Sequence, residues 1–310
     1  MHRAPPLDDR SMLPASPRLH PLVRASLYYV AVIFGSQLVV GTLLGVAIVG
    51  LTLTGVTGWL GEVLEGRLPA WLLALSTWLE LGVLALATWG FLRFLDRAGW
   101  RTLRMVRQDW LASTLSGVAL GALAIGMLTA LFAIAGWAQF HGGWTLNGLA
   151  ANAVVLLPAA LAEEIAFRGY LLSLLARWRG WWLGAVGSSI LFSLAHLLNP
   201  SLNFVALVNI ALAGLAFALA LRISNSLWLP TAFHFIWNYL LGPVFGLPVS
   251  GLTEFSAGAV AQVSGPPLWT GGAFGPEGGL AATLALVVVC LVILAFHHAR
   301  RARGEQLASP

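Results

Sequence analysis

Residues 203–221 read NFVALVNIALAGLAFALAL, an apolar run without a single charged side chain. A helix of this length rises about 30 Å at ~1.5 Å per residue, which matches the hydrocarbon core of a bilayer. Seven other stretches have a similar length and character. Together the predicted spans are residues 27–53, 70–95, 113–138, 150–176, 181–198, 203–221, 226–242 and 279–298. The sequence therefore predicts an all-α, polytopic membrane bundle of about eight transmembrane helices.

The composition excludes an ordinary soluble domain. Hydrophobic residues make up 58% of the 310 residues and charged residues only 9%, whereas soluble domains carry about 25% charged residues. Lipid accepts the apolar side chains that a water-facing surface could not cover, so the bilayer itself is an expected partner. The net charge of +5 does not indicate a nucleic-acid partner, because the basic residues are spread between apolar segments. Cys290 is the single cysteine, which excludes an intrachain disulfide and a cysteine-based metal site.

The basic residues predict an orientation. All seventeen are arginines. If the N-terminus is inside, Arg67 falls outside, Arg168 falls within a span, and every other arginine falls on the inner side. We therefore expect both termini to be cytoplasmic. The first apolar run is long enough to span, so we expect a retained helix and not a cleaved signal peptide.

The chain divides into five predicted parts. They are a polar tail at 1–25, N-terminal transmembrane helices at 26–149, a helical core at 150–242, an outer loop rich in Gly and Pro at 243–278, and a last helix with a basic tail at 279–310. The Gly-rich stretch 271–279 of the outer loop lacks the Gly-Lys-Ser/Thr of a phosphate-binding loop. The sequence therefore predicts no nucleotide partner.

Ionisable groups within the predicted spans mark the expected functional site. Each costs roughly 2.5–3.5 kcal/mol at membrane depth, so such groups persist mainly where a cavity or a partner compensates. All but Glu80 lie in the core 150–242, which also carries the polar Asn238. The ionisable groups are Glu80, Glu163, Glu164, Arg168, His196 and His234.

Two adjacent glutamates on one predicted helix are expected to differ in role. Glu164 and Arg168 are four residues apart with the acid first, the favourable order for a helical ion pair. Glu163 lies about 100° round the helix and has no such counter-ion. Pro158 can kink the helix and admit water near the carboxylate. The simpler alternative is that Glu163 merely pairs with a histidine or with Arg168.

Two further pairs are spaced to share a helix face. Phe192 and His196 are four residues apart on one helix, and so are His234 and Asn238 on another. A carboxylate, two histidines and an asparagine can activate water as a general base and donate hydrogen bonds to an oxyanion. This combination favours amide hydrolysis.

Three motifs in this order resemble the CAAX protease and bacteriocin-processing family of intramembrane endopeptidases. They are Glu163-Glu164-x-x-x-Arg168, Phe192-x-x-x-His196 and His234-x-x-x-Asn238, and residues 226–234 also resemble bacterial members. The resemblance covers about 150–242. It implies that Glu163 activates water, that His196 assists, and that His234 and Asn238 stabilise the oxyanion.

The same resemblance implies supporting roles and a location. Glu164 and Arg168, together with Phe192, would hold the arrangement of the helices. The expected substrate is a membrane-associated peptide or protein, and the expected location is a bacterial plasma membrane.

Three alternatives stay open at this point. An idle immunity or scaffold protein could bind peptides in the same cavity. A transporter could use Glu80 and Glu163 as ion carriers, although no inverted repeat is evident. Zinc is the alternative to a mechanism without a cofactor. We favour no metal, because the two acids are adjacent on one helix and no His-Glu-x-x-His motif is present.

Overall fold

Long apolar helices dominate the computed structural model, which describes residues 19–61, 69–105 and 109–307. Six of the described helices are long and apolar enough to cross a membrane. The helices, in chain order, are α1 (Pro21–Leu53), α2 (Ala70–Asp96), α3 (Trp110–Ile134), α4 (Leu146–Arg179), α5 (Trp181–Ala195), α6 (Phe204–Ser224), α7 (Trp228–Tyr239) and α8 (Leu280–Leu307). The predicted all-α, polytopic membrane bundle is confirmed. The predicted spans 181–198 and 226–242 form the two shorter helices α5 and α7.

The first helix begins earlier than its hydropathy indicates. Pro21 occupies its first turn, and the His20 side chain accepts a hydrogen bond from the Leu22 N–H. Arg24, which the sequence assigns to the polar tail, is therefore inside α1. Of that tail, residues 1–18 lie outside the described residues. The same is true of the segment 62–68, which includes Arg67.

A buried charge network explains why Arg24 belongs to the helix. Its guanidinium pairs with Asp96 at the end of α2, and both side chains are inaccessible to solvent. The Tyr170 hydroxyl of α4 donates to the second Asp96 oxygen at 2.7 Å. Pairing offsets the desolvation of these charges. The network ties α1, α2 and α4 together at one end of the bundle.

Four helices change to a wider π-helical winding at one point. In α4 this segment is Ile165–Leu171, and it starts immediately after Glu164. The segments in α1 and α2 are Ala31–Gly35 and Phe91–Asp96, and Leu240–Val244 continues α7. Such wider turns shift the register of the side chains and are frequent at functional sites.

The outer loop, for which the sequence predicts no fold, has an ordered structure. Its strand β2 (Val260–Val263) pairs antiparallel with β1 (Ala138–His141), so that Ala138 lies opposite Val263. A helical turn at Pro267–Thr270 and 3₁₀ turns at Gly272–Phe274 and Pro276–Gly278 follow. The loop packs against the bundle, and the Phe274 side chain is completely buried.

Small residues bring α3 into close contact with α7. A Cβ atom at Gly117 would lie 2.9 Å from the Phe233 nitrogen, and a Cβ atom at Gly121 would lie 2.9 Å from the Phe233 oxygen. The spacing of Gly117, Gly121 and Gly126 is typical of closely packed membrane helices, and the first two of these glycines make such contacts. A Cβ atom at Gly126 would meet nothing within 4 Å.

We predict that Gly117→Ala lowers the melting temperature of the detergent-solubilised protein, whereas Gly126→Ala does not. The added methyl group at Gly117 forces α7 outward, and such overpacking costs about 1–3 kcal/mol. Both substitutions have the same effect on helix propensity, so their difference isolates the contact with α7. Equal melting temperatures for the two variants would contradict this packing.

Candidate active site

The Glu164 carboxylate is the hub of the site. Its Oε1 atom accepts hydrogen bonds from Arg168 Nη1 at 3.0 Å and from His234 Nδ1 at 3.0 Å. Glu164 and Arg168 are completely buried, and His234 is nearly so. The predicted ion pair is therefore present, and it has a third member from α7. Glu164 thereby fixes the orientation of the His234 ring.

Two phenylalanines enclose this charged cluster. The Arg168 guanidinium lies 4.2 Å from the centre of the Phe192 ring and 5.0 Å from that of Phe217. The His234 ring stacks on Phe217, with 4.8 Å between ring centres. The Arg168 Nε and Nη2 atoms have no hydrogen-bond partner among the described residues, and the cation–π contacts compensate part of that cost. Phe192 therefore supports the cluster directly.

Glu163 faces the same histidine from the other side. Its Oε2 atom lies 3.8 Å from His234 Nε2, and the Glu163 side chain is 35% exposed. This distance exceeds a hydrogen bond, and Oε2 has no hydrogen-bond partner in the described part of the chain. The Oε2 atom itself is buried, so the exposed part of the side chain belongs to its other atoms. Glu163 is therefore close to a histidine without being locked to it.

His196 follows the last residue of α5. Its Nδ1 atom lies 2.8 Å from the Phe192 carbonyl oxygen. Because a carbonyl oxygen only accepts, Nδ1 must carry the proton of this bond. The other ring nitrogen, Nε2, stays available as a hydrogen-bond acceptor in the neutral imidazole.

One cavity is lined by two of the three motif helices. Phe192 of α5, His196 just after this helix, and His234 and Asn238 of α7 are part of its lining. Glu163 is not part of the lining, but its Oε2 atom lies 3.8 Å from His234 Nε2. Counting along straight spans puts Glu163, His196 and His234 at different depths, whereas in the structure Glu163 contacts His234 and His196 lines the same cavity as His234.

Other lining residues were not singled out from the sequence. Asn209 is a strongly polar side chain inside the apolar run 203–221, and this contrast could have identified it from the sequence. Ser250 and Glu277 lie in the outer loop, where no periodicity predicts their position. Phe217 is one apolar residue among many on α6, so only the structure reveals its stacking on His234.

The sequence also singles out Glu80 as an ionisable residue within a span and leaves a zinc site as an alternative. Glu80 on α2 accepts a hydrogen bond from Gln37 Nε2 at 2.9 Å, and it does not line the cavity. Within residues 19–61, 69–105 and 109–307, no group of three or more His, Cys, Asp or Glu side chains is arranged to hold a metal ion. The metal-free mechanism stays a prediction.

Comparison with known proteins identifies one family. Residues 145–240 match the family model described as type II CAAX prenyl endopeptidase Rce1-like. No curated protein and no solved structure matches the chain. The matched segment contains α4, α5, α6 and α7, and hence all three motifs. Residues 145–240 of this integral membrane protein, less than half of the chain, are therefore similar to the type II CAAX prenyl endopeptidases of the Rce1-like family.

Proposed function

We propose that this protein is a glutamate-dependent intramembrane endopeptidase that hydrolyses peptide bonds of membrane-associated peptides or proteins. One observation carries the proposal. Glu163 holds a carboxylate oxygen without a hydrogen-bond partner among the described residues, 3.8 Å from a histidine that Glu164 fixes. The adjoining cavity is lined by His196 and Asn238. A carboxylate in this position can hold and deprotonate a water molecule.

In the proposed first step, Glu163 takes a proton from water while the water oxygen attacks the peptide carbonyl carbon. A C–O bond forms, and the carbonyl oxygen becomes an oxyanion. In the second step the tetrahedral intermediate collapses and the C–N bond breaks. Glu163 then returns the proton to the leaving amine, so that the carboxylate is regenerated.

The oxyanion needs hydrogen-bond donors, and we assign this role to His234 and Asn238, which both line the cavity. In the imidazolium form, His234 donates from Nδ1 to Glu164 and from Nε2 to the oxyanion. Asn238 donates from its carboxamide on the same face of α7. One donor of this kind contributes about 10²- to 10³-fold to the rate in hydrolases.

His196 assists through its remaining ring nitrogen. Its Nδ1–H is engaged by the Phe192 carbonyl, so Nε2 can accept a hydrogen bond from the attacking water. The water would then be held between His196 and Glu163. Such positioning lowers the entropic part of the activation barrier, because the water is already oriented before the reaction.

Orientation in the membrane is part of the same proposal. The distribution of the arginines favours cytoplasmic termini, and the family resemblance favours a bacterial plasma membrane. The outer loop, which contains β2 and the turn Pro276–Gly278, would then face the opposite side.

We predict that Glu163→Gln retains the fold but lowers cleavage of labelled membrane peptides by about 10²- to 10⁴-fold, because glutamine keeps the size and removes the base. The matched control is Glu254→Gln, the same change at an exposed glutamate of the outer loop. It should cleave at the native rate. Full activity of Glu163→Gln would disprove the assignment of the base.

Chelation tests the cofactor prediction in the same assay. The native protein should remain active after treatment with a strong zinc chelator, because the proposed steps use only its own side chains. Loss of activity that added zinc restores would establish a metal-assisted mechanism instead. If the native protein binds the peptides but cleaves none of them, the result would favour the alternative of an idle immunity or scaffold protein.

We further predict that Arg168→Ala lowers the melting temperature more than Arg179→Ala does. Removing Arg168 leaves the buried Glu164 carboxylate with the histidine alone, and breaking a buried ion pair costs about 3–5 kcal/mol. Arg179 is exposed at the end of α4, so the control removes the same charge without that cost. An Arg168→Ala variant with native melting temperature and lost turnover would show a catalytic role instead.

A further inference from the structure

The Gly-rich stretch 271–279 delivers a carboxylate to the cavity of the proposed protease. Its 3₁₀ turn Pro276–Gly278 carries Glu277, which lines the same cavity as His196, His234 and Asn238. None of the three motifs contains this residue, and it lies beyond the family match at 145–240. Its contacts suggest a specific task.

The backbone of this turn is clamped to α6. Asn209 Nδ2 donates to the Glu277 carbonyl oxygen at 2.8 Å and to the Gly279 carbonyl oxygen at 2.9 Å. Asn209 Oδ1 accepts from the Thr283 hydroxyl of α8 at 2.7 Å. Asn209 is buried, so its donors and its acceptor are used inside the protein. These hydrogen bonds hold the backbone of the turn independently of the contacts of the Glu277 side chain.

The Glu277 carboxylate joins the outer loop to α7. Its Oε1 atom accepts a hydrogen bond from Trp237 Nε1 at 3.0 Å. Its Oε2 atom accepts from the Ser250 backbone N–H and from the Ser250 hydroxyl, the latter at 3.2 Å. A carboxylate can serve donors at both oxygens, whereas a glutamine in its place has one acceptor atom. A glutamine can therefore keep only one of these two sets of contacts.

Trp237 transmits this contact to the candidate catalytic residues. It lies three residues after His234 and directly before Asn238 on α7, and it is buried. At the other end of the same cluster, Glu164 holds His234 from α4. Helix α7 is therefore held from α4 through His234 and from the outer loop through Trp237. A misplacement of 1 Å can cost about 10²-fold in rate.

We propose that Glu277 is a positioning residue for the hydrolysis, a role that rests on the proposed protease function. From the outer loop it fixes Trp237 and so sets His234 and Asn238 in the geometry that oxyanion stabilisation requires. Glu277 itself transfers no proton and holds no substrate.

The kinetic test compares Glu277→Gln, Trp237→Phe, the double variant and the control Glu254→Gln. Each of the first two single variants should lower kcat by about 10- to 100-fold with KM nearly unchanged. The double variant should be no slower than the slower single variant, because both substitutions break one hydrogen bond. The control should match the native protein. A raised KM with unchanged kcat would mean that Glu277 binds substrate, and additive losses would mean that the two residues act separately; either result overturns the proposal.

Hydrogen–deuterium exchange tests the same contact without any substrate. Amides of residues 228–244 should exchange faster in Glu277→Gln than in the native protein, and Glu254→Gln should leave them unchanged. Unchanged exchange in Glu277→Gln would refute the positioning role. This measurement separates the two proposals, because a native protein that cleaves nothing refutes the protease function while exchange still reports on the link between Glu277 and α7.

Discussion

A buried carboxylate with two cationic or protonatable partners governs this site. Glu164 has no access to solvent, and an unpaired carboxylate in such a place would be too costly to keep. It therefore constrains both Arg168 on its own helix and His234 on α7. The aromatic rings of Phe192 and Phe217 surround the pair and bring α5 and α6 to the same point. Four helices thus depend on the neutralisation of one charge.

Adjacent glutamates acquire different properties from this arrangement. Glu164 is completely buried and binds both Arg168 and His234 through its Oε1 atom, whereas the Glu163 side chain, one residue earlier, stays partly exposed. Helix α4 presents both carboxylates to the same histidine, Glu164 at Nδ1 and Glu163 at Nε2. A single imidazole ring thereby lies between a structural acid and the acid to which we assign chemistry.

Local rules predict a good part of this structure. Hydropathy over about 20 residues identifies the long helices, and the four-residue spacing of Glu164 and Arg168 predicts their pair. The bond between Glu164 and His234 joins residues 70 positions apart in the chain, and no local pattern encodes such a distance. The prediction that Arg24 belongs to a polar tail is wrong, because its partner Asp96 lies 72 residues further along the chain. The structure of the outer loop could not be predicted for the same reason, because the loop is held by hydrogen bonds with the distant residues Asn209 and Trp237.

The size of the cavity constrains the shape of any chain segment that is cut there. One helical turn with its side chains is a cylinder about 10 Å wide and 5.4 Å long, or roughly 420 Å³. The space inside the cavity fits only about one or two water molecules, far less than this single turn. A membrane-spanning helix therefore cannot enter the cavity intact: the walls of the cavity must move apart, and the helix must unwind locally. Segments that contain glycine or proline unwind at the lowest cost, so helical stability would act as a filter on what is hydrolysed.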